Sequence, residues 1–154
     1  MIEVHDYGEA EWFGGDPNAM QMYRMLIDMA HIWDDLIDQD KPVNEYAINS
    51  AFLIALVYLP ANPFYQKIQP AVMPMWVTVV SAYEAANKFE REKDDHGIEI
   101  AHMLRYAAGQ IIAYAIHVCV GQEKAREYIP VMWKRVADER FAKYRKEHLD
   151  VDPK

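Results

Sequence analysis

The sequence predicts an all-α fold, a single-domain bundle of about five helices spanning residues 1–154, and three observations carry that prediction. Apolar residues recur at steps of three and four along every long segment, capping residues and prolines stand where those segments begin and end, and no stretch reads as a strand in its context. At 154 residues, 52% of them apolar, the chain has the size and material for one buried core.

Residues 1–15 are polar and aromatic and read as an irregular amino-terminal segment. The first helix starts behind Asp16-Pro17, because aspartate is a good N-cap and proline suits the first helical position. Met22, Met25, Leu26, Met29, Ile32, Trp33, Leu36 and Ile37 carry it to Asp38, and Lys41-Pro42 stops it. Asn44 caps a second helix over 45–59, whose expected buried side is Ala47, Ile48, Ala51, Phe52, Ala55, Leu56 and Leu59. Pro60 and the Asn62-Pro63 turn end it. A third runs from about Ala71 or Pro74 to Glu92, interrupted near its start by Pro74; Trp76-Val77-Thr78-Val79-Val80 is β-prone in isolation, but its flanks favour helix.

A charged turn over 91–97 leads to a fourth helix, 98–120, closed by Gly121. It is apolar around most of its circumference, so it is the expected central element, with Ala113, Tyr114, Ile116 and Val118 in the core. Pro130 should kink or restart a last helix over 123–148. Residues 149–154 are expected to form a flexible tail. Short connections favour antiparallel neighbours.

Twenty-four acidic against sixteen basic residues give a formal charge of −8. That field repels phosphate backbones and anionic lipid, so neither nucleic acid nor a membrane is an expected partner. Lys134, Arg135, Arg140, Lys143, Arg145 and Lys146 cluster, but Asp138, Glu139 and Glu147 interrupt them, the pattern of a solvated helix face. The sole cysteine, Cys119, sits in an apolar run and reads as a small buried hydrophobe. With no disulfide framework, and an amino terminus lacking a basic region and an apolar core, a cytoplasmic location is expected. The longest uncharged stretch, 46–66, holds Asn49, Ser50, Pro60, Asn62 and Pro63, so no bilayer span is expected.

On the first helix Asp28, His31, Asp35 and Asp38 form one stripe, with Asp34 beside them. Carboxylates crowded at helical neighbour positions repel, and a cation bound there would relieve that cost; oxygen ligands without cysteine suit magnesium or manganese. Asp34-Asp35-Leu36-Ile37-Asp38 fits a DDxxD pattern and resembles the aspartate-rich motif of class I isoprenoid synthases, an all-helical family. The resemblance implies that Asp34, Asp35 and Asp38 hold magnesium against a substrate diphosphate. It covers those five residues; the chain is much shorter than a usual member, Asp95-His96-Gly97-Ile98-Glu99 is a poor match to the second metal motif, and no diphosphate-holding basic residues are evident. The plainer expectation rests on geometry. The apolar arc around Met22, Met29 and Trp33 lies opposite the acidic one, as in a surface helix whose aspartates face water. A partner-binding surface is the third reading.

Glu99, His102, Tyr106, Gln110 and His117 share one face of the fourth helix, and Glu84, Asn87 and Arg91 on the third are spaced to answer them. A buried hydrogen-bonded cluster of Glu84, Asn87, Glu99, His102 and Tyr106 is the plain expectation. The ExxH pair Glu99/His102 and the DxxH pair Asp28/His31, with Glu84, resemble ferritin-like di-iron bundles, which draw a carboxylate from each of four helices; the second helix offers only Glu45. His5-Asp6 lacks the upstream histidine of an HD phosphohydrolase, and no GxSxG, P-loop, paired CxxC or dinucleotide fingerprint occurs.

Across the chain, Trp12-Phe13-Gly14-Gly15-Asp16-Pro17, Trp33-Asp34-Asp35-Leu36-Ile37-Asp38 and Asn62-Pro63-Phe64-Tyr65 resemble small helical proteins, without an established activity, encoded by tailed bacteriophages. That resemblance implies an accessory or host-directed protein in the cytoplasm of an infected bacterium, with a host or phage protein as partner. The expected function is therefore a non-enzymatic helical interaction protein, homo-oligomeric because its Met and aromatic content exceeds the needs of one small core. The alternative is a divalent-metal-dependent enzyme or binder acting on a diphosphate. A pocket shared by the acidic face with Glu84, Glu99 and His102 would favour the alternative, and an acidic face open to bulk water would disfavour it.

Overall fold

The computed structural model describes residues 8–39 and 41–149, and every regular element among them is helical. The amino-terminal segment departs from the irregular chain expected of it. Glu9–Trp12 forms one helical turn, α1, in which Glu11 reaches back to accept from the Gly8 N–H at 2.9 Å. Trp12 and Phe13 are fully buried, and the Arg135 guanidinium lies 4.6 Å over the Trp12 ring. Two aromatic rings bury enough surface to order so short a piece. Residues 1–7, His5-Asp6 among them, and 150–154, most of the expected tail, lie outside the described residues, as does Asp40.

The next helix has the bounds expected of it. Asp16 accepts from the N–H groups of Asn18 at 2.9 Å and Ala19 at 3.2 Å, Pro17 follows, and α2 (Pro17–Asp38) ends on Gln39 in the left-handed region. These contacts satisfy donors that a helix start leaves open. Leu36 and Ile37, counted with its apolar arc, are exposed near its end.

Asn44 caps α3 (Glu45–Leu53), accepting from the Ala47 N–H at 2.8 Å. The chain then widens into a π-helical turn, Ile54–Tyr58, and continues as α4 (Leu59–Ala61). Pro60 has no N–H for the Leu56 carbonyl, and a wider turn ahead of it lets the ring pass. The buried side expected here forms only in part: Leu59 is buried and Ala47, Ile48 and Ala51 are half-buried, but Phe52 is 62% and Leu56 70% exposed, Ala55 is exposed, and Ile54, outside the expected set, is buried. Apart from its own continuation, α3 has α2 as its main neighbour, and one neighbour covers one narrow strip.

Asn62 fixes the corner that follows. Buried, it accepts from the Tyr65 N–H and donates to the Asn18 carbonyl, each at 2.9 Å, so it starts one helix and ties it to the beginning of α2. The bend there is 101°. α5 (Pro63–Glu92) begins well before the expected Ala71 or Pro74, because Pro70 and Pro74 both face water and each forfeits only a solvent-side backbone bond.

Asp94 accepts from the Gly97 N–H at 2.7 Å and caps α6 (Asp95–Leu104). The single rod expected over 98–120 is broken at 105–108. Beyond the break α7 (Gly109–Val136) itself reverses at Gly121, where φ is 82°, at the residue expected to close the helix. Its two halves fold onto each other so closely that a Cβ on Gly109 would lie 2.5 Å from the Trp133 ring. Pro130 causes no break, since it and Arg126, whose carbonyl it leaves unpaired, are exposed. The break falls instead at 137–140, ahead of α8 (Phe141–Leu149).

α7 is central, as expected: Ile111, Ile112, Ala115, Ile116, Ala125 and Met132 are buried against Trp12, Met22, Leu26 and Val72. Ala113, Tyr114 and Val118 are half-buried at its margin. A smaller cluster of Ala86, Ile98, Ala101 and Tyr144 joins α5, α6 and α8. One stretch within Asp95–Leu149 is long and apolar enough to cross a membrane, a property core helices share, and Glu45–Ala61 with Pro63–Glu92 passes the same test as a bent pair.

Candidate functional site

Arg105, at the break between α6 and α7, is the only Lys or Arg between Lys93 and Lys124. Its side chain is 12% exposed, so its charge needs partners inside the protein. Nη2 donates to both carboxylate oxygens of Asp34 at 2.9 Å and stands 3.7 Å from Asp38 Oδ2, while Nη1 reaches Glu139 Oε2 at 3.4 Å. The spacing of four on α2 is what turns Asp34 and Asp38 to one guanidinium.

Other groups close around this pair. Tyr83 on α5 donates its hydroxyl to Asp34, and its ring stacks on Trp33 with centroids 4.3 Å apart. His102 Nε2 lies 2.8 Å from the Glu139 carbonyl, which only accepts, so that nitrogen carries the proton. The guanidinium also covers the Tyr144 ring at 5.1 Å, and the Tyr144 hydroxyl donates to Glu90 at 2.6 Å.

Burial alone would lower the Arg105 pKa, but Asp34, Glu90 and Asp38 outweigh it and hold the guanidinium above its usual value. Burial, then the hydrogen bond to Asp34, raises Tyr83; burial, then Glu90, raises Tyr144. Both phenols therefore remain donors. Glu139 is also raised, by burial and then by the hydrogen bond and charge of Glu147, against the pull of Arg105. The result is a clamp that holds α2, α5, both chain breaks and α8 to one charge.

A cavity of about 190 Å³ lies beneath the clamp, with Leu26, Ala30 and Ile112 on its apolar side and Tyr83 and Arg105 on its polar side. A cleft of about 480 Å³ opens above, where Asp35, Asp138 and Glu147 join the three clamp carboxylates opposite Lys41, Arg105, Arg140 and Lys143, so its lining is acidic on balance.

Of the acidic stripe, only Asp34 and Asp38 converge, and they converge on Arg105. Asp35 is half-buried in the wall of the cleft, and Asp28 and His31 are exposed. Among the described residues no three His, Cys, Asp or Glu side chains are arranged to hold a metal ion; a guanidinium occupies the place between the carboxylates. Of the second cluster, His102 and Tyr106 reach the clamp, Asn87 is half-buried, and Glu84 and Glu99 are exposed, Glu99 lying 3.7 Å from His96.

The residues that organise this site, Arg105, Tyr83 and Glu139, were not singled out as site residues by motif. The available signal was a lone arginine in a long apolar segment, which requires a buried counter-charge. No family model, curated protein or solved structure matches the chain.

A second feature lies on the far side of Trp33. Tyr46, Phe52, Leu56, Tyr58, Met73 and Val77 stand exposed on α3, the π-turn and α5. Beside them runs a groove of about 520 Å³ lined by Trp33, Phe52, Ala55, Met73, Trp76 and Val80. Inside it, Trp76 Nε1 donates to the Tyr65 hydroxyl at 3.1 Å. No charge interrupts the sequence from Tyr46 to Gln66.

Proposed function

We propose that this chain is a non-enzymatic helical interaction protein whose working surface is the uncovered apolar face of α3, the π-turn and α5. The supporting observation is the exposure of large apolar side chains there, Leu56 at 70% and Val77 at 67% among them. A fully exposed aromatic ring presents roughly 150–250 Å². On that scale the exposed apolar side chains of this face offer on the order of 1,000 Å², where a monomer's largest apolar patch is about 300–600 Å². On the resemblance to phage accessory proteins, the protein works in the cytoplasm of an infected bacterium. The alternative, a divalent-metal-dependent enzyme acting on a diphosphate, has against it that Asp34 and Asp38 are engaged by Arg105.

A polarity-sensitive apolar dye tests the reading. At nanomolar concentration the parent should brighten it, and a Leu56→Glu, Val77→Glu double variant should not, while keeping the helical circular dichroism of the parent. Equal brightening by both proteins removes the reading.

A further inference from the structure

Resting on that reading, we propose that the occupant of this face is a second copy of the chain, related by a two-fold axis, with the α3 ridge of each copy seated in the α3–α5 groove of the other. Ridge and groove lie side by side. Leu53, Leu56 and Val57 are exposed on α3 and the π-turn without lining the groove, whereas Phe52, Ala55, Met73 and Val80 line it. A face carrying both shapes is complementary to itself under a half-turn, and a contact of that kind closes at two subunits.

Charge selects the same place. Each copy carries −8, so two copies repel over most of their surfaces and approach best where neither is charged. The stretch from Tyr46 to Gln66 meets that condition. The area is also sufficient: on the order of 1,000 Å² per copy compares with about 800 Å² per partner in a standard interface. A lipid surface fits less well, because helices that lie in a bilayer interface carry lysine and arginine along their polar face, and this stretch has neither.

Sedimentation from nanomolar to high micromolar concentration, on the full chain, tests the proposal. The parent should pass from 18.0 kDa to twice that mass. Leu56→Glu on the ridge and Met73→Glu in the groove, each at an exposed position, should keep the parent's melting curve in dilute solution yet weaken the dimer by about a hundredfold or more, since a two-fold contact would bury two unpaired carboxylates. A dimer that both variants leave intact overturns the proposal, as does an open ladder of oligomers. A persistent monomer whose dye binding needs Leu56 overturns the second copy and leaves the docking face standing; a monomer whose dye binding ignores Leu56 overturns both. Flotation with neutral phosphatidylcholine vesicles that Leu56→Glu abolishes replaces the second copy with a lipid surface.

Discussion

The Arg105 clamp and the α3–α5 face sit on opposite sides of Trp33 and solve opposite problems. At the clamp, charges that prefer water are enclosed and every one of them meets a partner: Asp34, Asp38 and Glu139 on the guanidinium, Tyr83 on Asp34. On the face, side chains that avoid water are left in it, along a stretch from Tyr46 to Gln66 that carries no charge. A saturated polar site holds a fold together and has little left to offer a ligand. An uncovered apolar face adds little to the fold and retains its capacity to bind. That contrast, more than any motif, is why the proposed working surface is the face and not the clamp.

The comparison breaks most readily at Arg105. Arg105→Met removes the guanidinium on which Asp34, Asp38 and Glu139 converge, and the loss should be roughly 3–5 kcal/mol in urea unfolding. A loss below 1 kcal/mol would mean that the clamp is not what joins the elements. Tyr83→Phe should cost about 1.5–3 kcal/mol, toward the lower end because Asp34 keeps Arg105.

The same phenols predict a pH dependence. Their folded pKa values lie above the ordinary 10.0, so the folded state keeps protons that the unfolded chain releases. The stability they contribute is full below pH 10.0 and declines as pH rises above it. Unfolding free energies measured from neutral to strongly alkaline pH should fall in the parent and fall less steeply in Tyr83→Phe; parallel curves would remove Tyr83 from the account.

Effects on the face should be small in the isolated chain. Leu56→Ser should change monomer stability by no more than about 0.5 kcal/mol, as surface substitutions do. A larger loss would show that Leu56 is packed. Asp35→Asn, which leaves the clamp intact, should leave stability unchanged or improve it by a few tenths of a kcal/mol by relieving repulsion along α2. A melting temperature that rises with magnesium in the parent but not in Asp35→Asn, at matched ionic strength, would return the acidic stripe to a metal-binding role.

How much of this was legible follows from the range of each cause. α2 could be read to both ends because Asp16-Pro17 and the stop at Lys41-Pro42 act within a turn or two. Gly121 could be read as a corner for the same reason. Pro74 and Pro130 misled because a proline's effect depends on which side of the helix it faces, and in both cases that side is water. Periodicity placed Phe52, Ala55 and Leu56 on a buried side of α3 and its continuation and missed Ile54, because spacing cannot say which side a neighbour covers and does not anticipate the π-turn. The acidic stripe was visible in one window, while its counter-ion lies 71 residues away, beyond the reach of any motif.

Hydrogen–deuterium exchange, compared between dilute and concentrated protein with and without magnesium, tests the division between the two regions most directly. Concentration should increase protection in peptides covering 45–58 and 72–80, while peptides covering 28–38 and 99–106 should exchange alike in all four conditions. Protection of 28–38 that appears only with magnesium, with 45–58 indifferent to concentration, would reverse the assignment of structure and function between the clamp and the face.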